Sequence, residues 1–180
     1  MTYYGAKELA DAFRTVRGNT LQIADEIPEN KYGFRAAPET RTVAQTFAHI
    51  AVIPEFALHV HGNRIDDMTK VNFPELLQKF GAEEAKPRTK AEVIEMLRAG
   101  GDKFSAYLDG LSDSFLAEQV AMPPFAPQRT KSRFEMLLSA KEHEMHHRGQ
   151  LMLVERMLGI VPHLTRQFQE RMAAQAAQRA

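Results

Sequence analysis

The sequence predicts an all-α protein: a four-helix bundle with short extra helices in its connections and a C-terminal helical tail. Four long segments place apolar residues at three- and four-residue steps, as helices with one buried face do. No segment alternates apolar and polar residues as a half-buried strand does, and glycine-rich turns are few. Helices with a single apolar face bury it by packing against one another. We therefore expect a bundle domain over residues 1–162 and a helical tail over residues 163–180.

The first predicted helix spans residues 5–26 and ends before Pro28, because proline cannot continue a helix. Its apolar stripe runs through Leu9, Phe13, Val16, Thr20, Ile23 and Ile27. The connection that follows is rich in aromatic residues for a loop and contains Tyr32, Phe34 and Arg35. We favour packing of this loop on the end of the bundle over contact with a substrate.

The second predicted helix, over residues 42–61 with Thr42 as its N-cap, carries a histidine inside its apolar face. Its stripe runs through Thr46, His49, Val52, Ile53, Phe56 and Val60. A polar side chain in such a place needs a partner, and a lone histidine there is more often a hydrogen-bonded core residue than a metal ligand. A histidine pair on another helix makes the ligand interpretation the better one for His49. His59 and His61 lie at the helix end, which suits cations, and are expected to be solvated.

The connections between the long helices are less regular. Within residues 62–89 we expect a short helix over 73–79, and the pattern does not place this segment on the bundle. A further short helix is expected over residues 111–119. Residues 121–130 contain three prolines and should be irregular.

The third and fourth long helices are predicted over residues 90–109 and from Ser132 to the stop at Gly159. A glycine pair at 100 and 101 interrupts the third, where it bends the helix or permits close packing. Ser132 and Glu135 form a capping box at the start of the fourth helix. The inner face of that helix runs through Met136, Ala140, His143, His147, Leu151, Val154 and Leu158.

Composition excludes several classes of function. The 180 residues carry a formal net charge of zero, so nothing in the charge supports binding to nucleic acid. Cysteine is absent, which excludes disulfides, thiolate ligands and a cysteine nucleophile. The N-terminus has no apolar core of a signal peptide, and no stretch approaches 18 uncharged apolar residues. We expect a cytoplasmic protein that acts on a small molecule, without a membrane span.

A histidine cluster in the fourth helix indicates a metal site. Residues 141–151 read KEHEMHHRGQL, and His143 and His147 are one helical turn apart, so both rings project from one face. Together with His49 they would supply three neutral imidazoles and leave a fourth position for water, the pattern of a catalytic zinc site. Imidazole also suits other transition metals, so the ligands do not fix the metal. The simpler alternative is a polar helix face that is rich in histidine.

Four neighbours of the pair are candidates to brace a ligand or contact a substrate. His146 points to the flank of the stripe, and Glu144 lies off it. Arg148 and Gln150 are the other two, although a solvated face is the commoner explanation for such residues. The sequence shows no general base beyond the metal ligands and a metal-bound water.

Two other kinds of metal site compete with this interpretation. His143 to His147 fits H-E-x-x-H, the zinc metalloprotease helix. The extended form of that motif needs glycine and histidine where this chain has Gln150 and Leu153, and Glu170 is the one reasonable third ligand of a thermolysin-like site. A di-iron carboxylate site needs two Glu-x-x-His motifs, whereas this chain offers one, at Glu144.

The run HEMHHRGQL, the helix with His49 in TFAHI and the preceding IPENKYGFRAAPETRT together resemble the DinB-like (damage-inducible, YfiT-type) superfamily, over most of residues 5–160. The resemblance implies a four-helix bundle that holds a divalent metal through His49, His143 and His147. It also implies a homodimer, and for some members a transferase or isomerase reaction with mycothiol, bacillithiol or glutathione. The Ala/Gln-rich tail beyond Gln169 has no counterpart in the pattern.

Two functions follow as hypotheses. The first is a metal-dependent transferase or hydrolase that acts on a small molecule through metal-bound water or thiolate, with one zinc, nickel, iron or manganese ion. Any thiol must come from a low-molecular-weight cosubstrate, since the chain has no cysteine. The second is a non-catalytic stress-response module, in which the metal braces the bundle or is itself sensed.

Overall fold

The computed structural model describes residues 4–179 and confirms the predicted all-α fold. The first three residues of the predicted bundle domain and the last residue of the predicted tail lie outside this range. The helices in the described residues are α1 (Ala6–Glu26), α2 (Val43–Gly62), α3 (Phe73–Glu84), α4 (Lys90–Asp109), α5 (Asp113–Ala117), α6 (Arg133–Met157) and α7 (His163–Ala177), with short 3-10 turns at Glu29–Lys31 and Met68–Lys70.

The four long helices α1, α2, α4 and α6 form the bundle. Helices α1 and α2 each pack against both α4 and α6. Phe13 of α1 and Phe104 of α4 meet edge to face in the core, with ring centroids 4.9 Å apart. The largest fully buried apolar side chains are those of Leu9, Phe13, Ile23, Ile27, Phe47, Ile50, Leu97, Phe104, Leu108, Leu137 and Leu151.

Polar caps fix where three of these helices begin. The hydroxyls of Thr42, Thr89 and Ser132 each accept a hydrogen bond from the backbone N–H three residues later. Each also belongs to a capping box, which satisfies backbone donors that a helix start leaves free. The helix starts predicted from Thr42 and Ser132 are therefore confirmed.

The segment that the sequence left unplaced packs against α2. Its helix α3 ends at Glu84, five residues beyond the predicted end at 79, and none of its residues is fully buried. The weak apolar pattern of a helix that lies on the outside of the bundle explains why its length was underestimated. As a result, the C-terminal end of α3 lies beside α2.

A two-stranded antiparallel ribbon occupies the proline-rich region that was expected to be irregular. Strands β1 (Gln119–Ala121) and β2 (Thr130–Ser132) pair with Val120 opposite Lys131. The three prolines lie in the loop between the strands, where no ladder hydrogen bond is needed. Strands of three residues are too short to show an alternating pattern.

Helix α2 is the candidate membrane span among the described helices, because an 18-residue window of it is long and apolar enough. From the sequence we expected no stretch with the length and hydropathy of a membrane span, and α2 has both. Half of the window is buried inside the bundle, and the core helix of a soluble protein passes the same test. Its packing against α4 and α6 makes α2 a core helix here.

The expectation for His61 was wrong. This ring is 2% exposed, and its Nδ1 accepts a hydrogen bond from Arg133 Nη1 at 3.2 Å. Burial and the adjacent Arg133 charge lower the pKa of His61 to about 4. His61 is thus a neutral core residue whose partner, on α6, the local sequence does not indicate. His59 is exposed, as expected.

Helix α7 is held at its start and exposed from Phe168 onwards. His163 is buried with Nε2 3.2 Å from Asn19 Oδ1, and Arg166 Nη2 lies 2.5 Å from Glu26 Oε1, both partners being on α1. The division into a domain over 1–162 and a tail over 163–180 stays a prediction.

Candidate metal centre

Three histidine rings meet between α2 and α6. His49 Nε2 lies 3.1 Å from His143 Nε2, which in turn lies 3.3 Å from His147 Nε2. His143 and His147 share a face because they are one turn apart on α6, and the α2–α6 packing brings His49 opposite them. Among the described residues these three form the one group of His, Asp or Glu side chains whose ligand atoms all lie within 4.8 Å of one another.

The spacing of these nitrogen atoms fits a bound metal ion. A tetrahedral ion with Zn–N bonds of about 2.0–2.1 Å separates its ligand nitrogens by about 3.3 Å. The two separations in the cluster, 3.1 and 3.3 Å, are close to that value. With their Nδ1 protons on Glu84 and Gln150, His49 and His147 both present an Nε2 lone pair to His143, whose single ring proton can serve only one of them. A cation between the three nitrogens satisfies all of them. Three ligands leave one position of a tetrahedron open.

The surroundings keep the two histidine rings of α6 neutral. His147 is 8% exposed and His143 is partly buried. Burial, together with the charges of the neighbouring histidines and Arg41, lowers the pKa of His143 to about 4 and moves the pKa of His147 in the same direction. A neutral imidazole is the form that binds a metal ion, so the site is ready for one at neutral pH.

Glu84 is the residue of this site that sequence reasoning missed. Its Oε1 lies 2.5 Å from His49 Nδ1, and its Oε2 accepts a hydrogen bond from Arg41 Nε at 2.9 Å. With the Nδ1 proton held by the carboxylate, His49 presents the lone pair of Nε2 to the other two rings. Glu84 lies in a charged run that resembles a solvated loop, and no motif links it to a histidine 35 residues earlier.

Gln150 orients the ring of His147 as Glu84 orients that of His49. Its Oε1 lies 2.8 Å from His147 Nδ1, which sets the ring with its Nε2 towards His143. The amide nitrogen of the same side chain lies 3.1 Å from Nε2 of His146. His146 itself is exposed and stays outside the three-ring cluster. Gln150 therefore joins His146 to the site without making it a ligand.

Two cavities adjoin the cluster, one beside each histidine of α6. The larger, about 550 Å³, has His147 in its wall together with Phe34, Arg41, Val43, Gln150 and Val154. The smaller, about 300 Å³, has His143 in its wall with Phe56, His61, Met68, Met122 and Met136. Both volumes lie in or near the range of small-molecule sites. Phe34 of the aromatic-rich loop lines the larger cavity, whereas Tyr32 is buried and donates a hydrogen bond to the carbonyl of Ala24.

A sequence profile of the DinB superfamily matches residues 12–151, which include all three histidines. The chain belongs to the DinB superfamily.

Proteins related to this DinB chain share its fold at low sequence identity. The uncharacterized protein YjoA of Bacillus subtilis is 20% identical over 154 residues, which cover 86% of this chain and 91% of YjoA. The crystal structure of YjoA superposes with a TM-score of 0.63 over 84% of this chain and 92% of that one, at 18% identity. YfiT from Bacillus subtilis is described as a probable metal-dependent hydrolase with an unusual four-helix bundle topology. Its structure superposes with a TM-score of 0.67 over 89% of this chain and 91% of that one, at 12% identity.

Glu144 has a different place in this DinB chain from the one predicted. Its carboxylate pairs with Arg17 of α1, through contacts of 2.9 Å to Nε and Nη2, and the two side chains are 2% and 4% exposed. A carboxylate buried in this way cannot contact a substrate, which corrects its inclusion among the candidates. It is equally unavailable as the general base of an H-E-x-x-H protease or as the carboxylate of a di-iron site, so the structure speaks against both alternatives.

Arg148 also lies apart from the three rings of this DinB site. It is half-buried and makes no hydrogen bond or ion pair that joins it to the cluster among residues 4–179. Burial lowers the pKa of His163, at the start of α7, and the charges of Arg166 and Arg148 add to this effect. No contact in the described residues therefore gives Arg148 a part in the three-histidine site.

Proposed function

We propose that this DinB-superfamily protein is a divalent-metal-dependent hydrolase or transferase that acts on a small molecule. The metal ligands would be His49, His143 and His147. The observation that carries the proposal is the convergence of three Nε2 atoms beside a cavity of about 550 Å³. The description of YfiT as a probable metal-dependent hydrolase supports the same class of reaction.

Different residues of the chain would orient the metal ligands and surround the substrate. A bound divalent ion supplies a Lewis acid that polarises the substrate and lowers the pKa of water. Glu84 holds the Nδ1 proton of His49, and Gln150 Oε1 does the same for His147, so both rings keep the tautomer that binds metal. The apolar side chains in the wall of the larger cavity would shield the apolar part of a bound substrate from water.

The identity of the metal and the use of a thiol cosubstrate are inferred from the chemistry of the ligands and from the composition of the chain. Three imidazoles favour zinc, and nickel, iron or manganese would also be accepted. If the reaction is a transfer to sulfur, the thiol is a low-molecular-weight cosubstrate, because the chain has no cysteine. We further propose that the protein is cytoplasmic, forms a homodimer and does not bind nucleic acid, in line with its formal net charge of zero.

A second candidate function is a metal-binding module without turnover. It is favoured by one observation: Glu84 contacts His49 from α3, a helix with no fully buried residue. An ion on His49 would therefore help to hold α3 on the bundle. Chelation separates the two functions, since bracing predicts a large fall in melting temperature, and catalysis predicts a modest fall with loss of activity.

Metal analysis of protein purified without a histidine tag or a nickel column tests the proposal. We expect one ion per chain in the wild type and loss of that ion in His49→Ala. His59→Ala is the matched control, because His59 is an exposed histidine ten residues later on the same helix. Metal retained in full by His49→Ala would remove His49 from the site. The loaded protein would then be screened with ester and amide substrates, with and without thiol cosubstrates.

A further inference from the structure

The larger cavity combines an apolar wall with a single arginine. Its apolar side chains come from two elements, Phe34 and Val43 at the entry to α2 and Leu151 and Val154 on α6. Arg41 is the one basic side chain in this wall, which also contains His147. An apolar surface with one fixed cation binds molecules that have both a hydrocarbon part and an anionic group.

Glu84 holds the side chain of Arg41 in place and leaves its two terminal nitrogens, Nη1 and Nη2, without a partner in the described residues. Glu84 Oε2 binds only Nε, at 2.9 Å, and no hydrogen bond from Nη1 or Nη2 to another residue is found within residues 4–179. Those two nitrogens form the edge of a guanidinium that matches the two oxygens of a carboxylate or phosphate. The other face of Glu84 binds His49, so the arginine is fixed relative to the three histidines.

No carboxylate in the cavity wall pairs with this arginine, whose ion-pair partner Glu84 lies outside the wall and contacts only Nε. Glu39 is the one carboxylate in the wall, and it is exposed and makes no ion pair with Arg41. The side chain of Arg41 is itself 44% exposed, so an incoming anion can reach it from solvent. Arg41 is joined to His49 through the two carboxylate oxygens of Glu84, and it shares the cavity wall with His147.

We propose that Arg41 binds the anionic group of the substrate, and that the substrate is an amphipathic small molecule carrying a carboxylate or phosphate next to an apolar segment. This inference rests on the proposed function for the location of the reacting bond. It assigns the substrate's charge to Arg41 and its apolar part to the wall formed by Phe34, Val43, Leu151 and Val154.

Calorimetric titration with four probes of one chain length tests the inference: hexanoate, hexyl phosphate, hexan-1-ol and hexylamine. We expect the two anions to bind more tightly than the alcohol and the amine, and the tighter anion to identify the charged group.

In Arg41→Gln, anion affinity should fall roughly tenfold while alcohol affinity stays unchanged. Arg41→Lys should retain part of the preference, and Arg98→Gln, an exposed arginine of α4 outside the cavity wall, should behave as wild type. Shortening hexanoate to butanoate should weaken binding by roughly fourfold per methylene group.

Equal binding of the anions and the alcohol would overturn the inference, as would anion affinity that is unchanged in Arg41→Gln or independent of chain length. Metal content and thermal unfolding are measured for every variant, so that loss of the ion or of the fold is not mistaken for loss of the arginine. Titration of the metal-free protein separates this inference from the proposed function. An anion preference that depends on Arg41 in the metal-free protein would support the arginine site by itself, whereas a wild type that takes up no metal ion would refute the metal-dependent reaction and leave the arginine site standing.

Discussion

Glu84 and His49 form a carboxylate–imidazole pair in which Glu84 Oε1 lies 2.5 Å from His49 Nδ1. The pair connects α3 with α2, and through Arg41 it reaches the wall of the larger cavity. Burial raises the pKa of Glu84, but its hydrogen bonds to His49 and Arg41 and their charges outweigh this, and the net pKa is lowered. Glu84 is therefore an anion at neutral pH and can hold the Nδ1 proton of His49.

Replacing Glu84 should weaken metal binding. In Glu84→Gln the amide oxygen can still accept the Nδ1 proton, but the negative charge that makes His49 a stronger ligand is lost, and carboxylate partners of metal-binding histidines typically contribute about 10- to 100-fold in affinity. Competition with a chromophoric zinc chelator measures the change. Glu75→Gln, on the exposed start of the same helix, should leave the affinity as in wild type. An affinity unaltered by Glu84→Gln would show that the carboxylate does not support the site.

Neighbouring histidines of α6 should differ sharply in their effect on metal content. His147→Ala removes one of the three converging nitrogens and should abolish stoichiometric binding. His146→Ala removes an exposed ring that contacts Gln150 at 3.1 Å and lies edge to face with His147, and it should keep one ion per chain, with a small loss of affinity at most. Elemental analysis after dialysis distinguishes them. Equal loss in both variants would place His146 among the ligands.

Breaking the Arg17–Glu144 pair should destabilise the fold and leave the metal site intact. Glu144→Ala leaves the Arg17 charge buried without its partner, a change that typically costs about 3–5 kcal/mol. Chemical denaturation measures the loss, and metal analysis of the folded variant checks the site. A metalloprotease would show the opposite, because its glutamate acts in catalysis. A stable Glu144→Ala protein that had lost only activity would therefore revive that interpretation.

Gly101 is required by the close approach of Arg17. A Cβ built at this position lies 2.8 Å from Arg17 Cγ, part of a stem that the buried ion pair holds in place. Gly101→Ala should therefore destabilise the protein by about 1–2 kcal/mol, despite the better helix propensity of alanine. Gly18→Ala, inside α1 with nothing within 4 Å of its added Cβ, should be neutral or stabilising. Similar denaturation midpoints for the two variants would contradict this account.

The sequence predicted those features that depend on spacing within one helix. His143 and His147 are four residues apart, and His49 lies in the apolar stripe of α2, so their meeting could be expected once α2 and α6 were taken to pack together. That these rings bind a metal stays a prediction. The length and packing of the bundle helices followed from the same periodicity.

The features that the sequence did not predict depend on contacts between distant segments. Glu144 pairs with a residue 127 positions earlier, and its place in H-E-x-x-H suggested catalysis instead of a buried ion pair. His61 is buried and hydrogen-bonded to Arg133, which lies 72 positions later, although its place at a helix end suggested exposure. Glu84 reaches His49 only because α3 packs on α2, which no apolar pattern indicated. Charged residues have many alternative partners, so their pairing is decided by the packed fold.

Glu155 should make stability depend on pH between about 5 and 7. Its side chain is fully buried, with neither carboxylate oxygen hydrogen-bonded within the described residues. Burial, and next the charge of Glu26, raise its pKa from 4.5 to about 7, against the opposing charges of Arg166 and Arg156. The folded state therefore holds a proton that the unfolded state releases above 4.5, so the stabilising contribution is complete at low pH and is lost as the pH rises through 7.

Glu155→Gln should remove this dependence, because the amide resembles the protonated acid and does not ionise. We expect the variant to match wild type near pH 4.5 and to exceed its free energy of unfolding by about 3 kcal/mol at pH 8. Urea denaturation across this pH range, with the difference between variant and wild type taken at each pH, cancels the titration of the histidines. Glu142→Gln, an exposed glutamate on the same helix, should show no such trend. A difference between Glu155→Gln and wild type that is constant from pH 5 to pH 8 would mean that the Glu155 carboxylate does not titrate there, and that a fixed partner holds its charge.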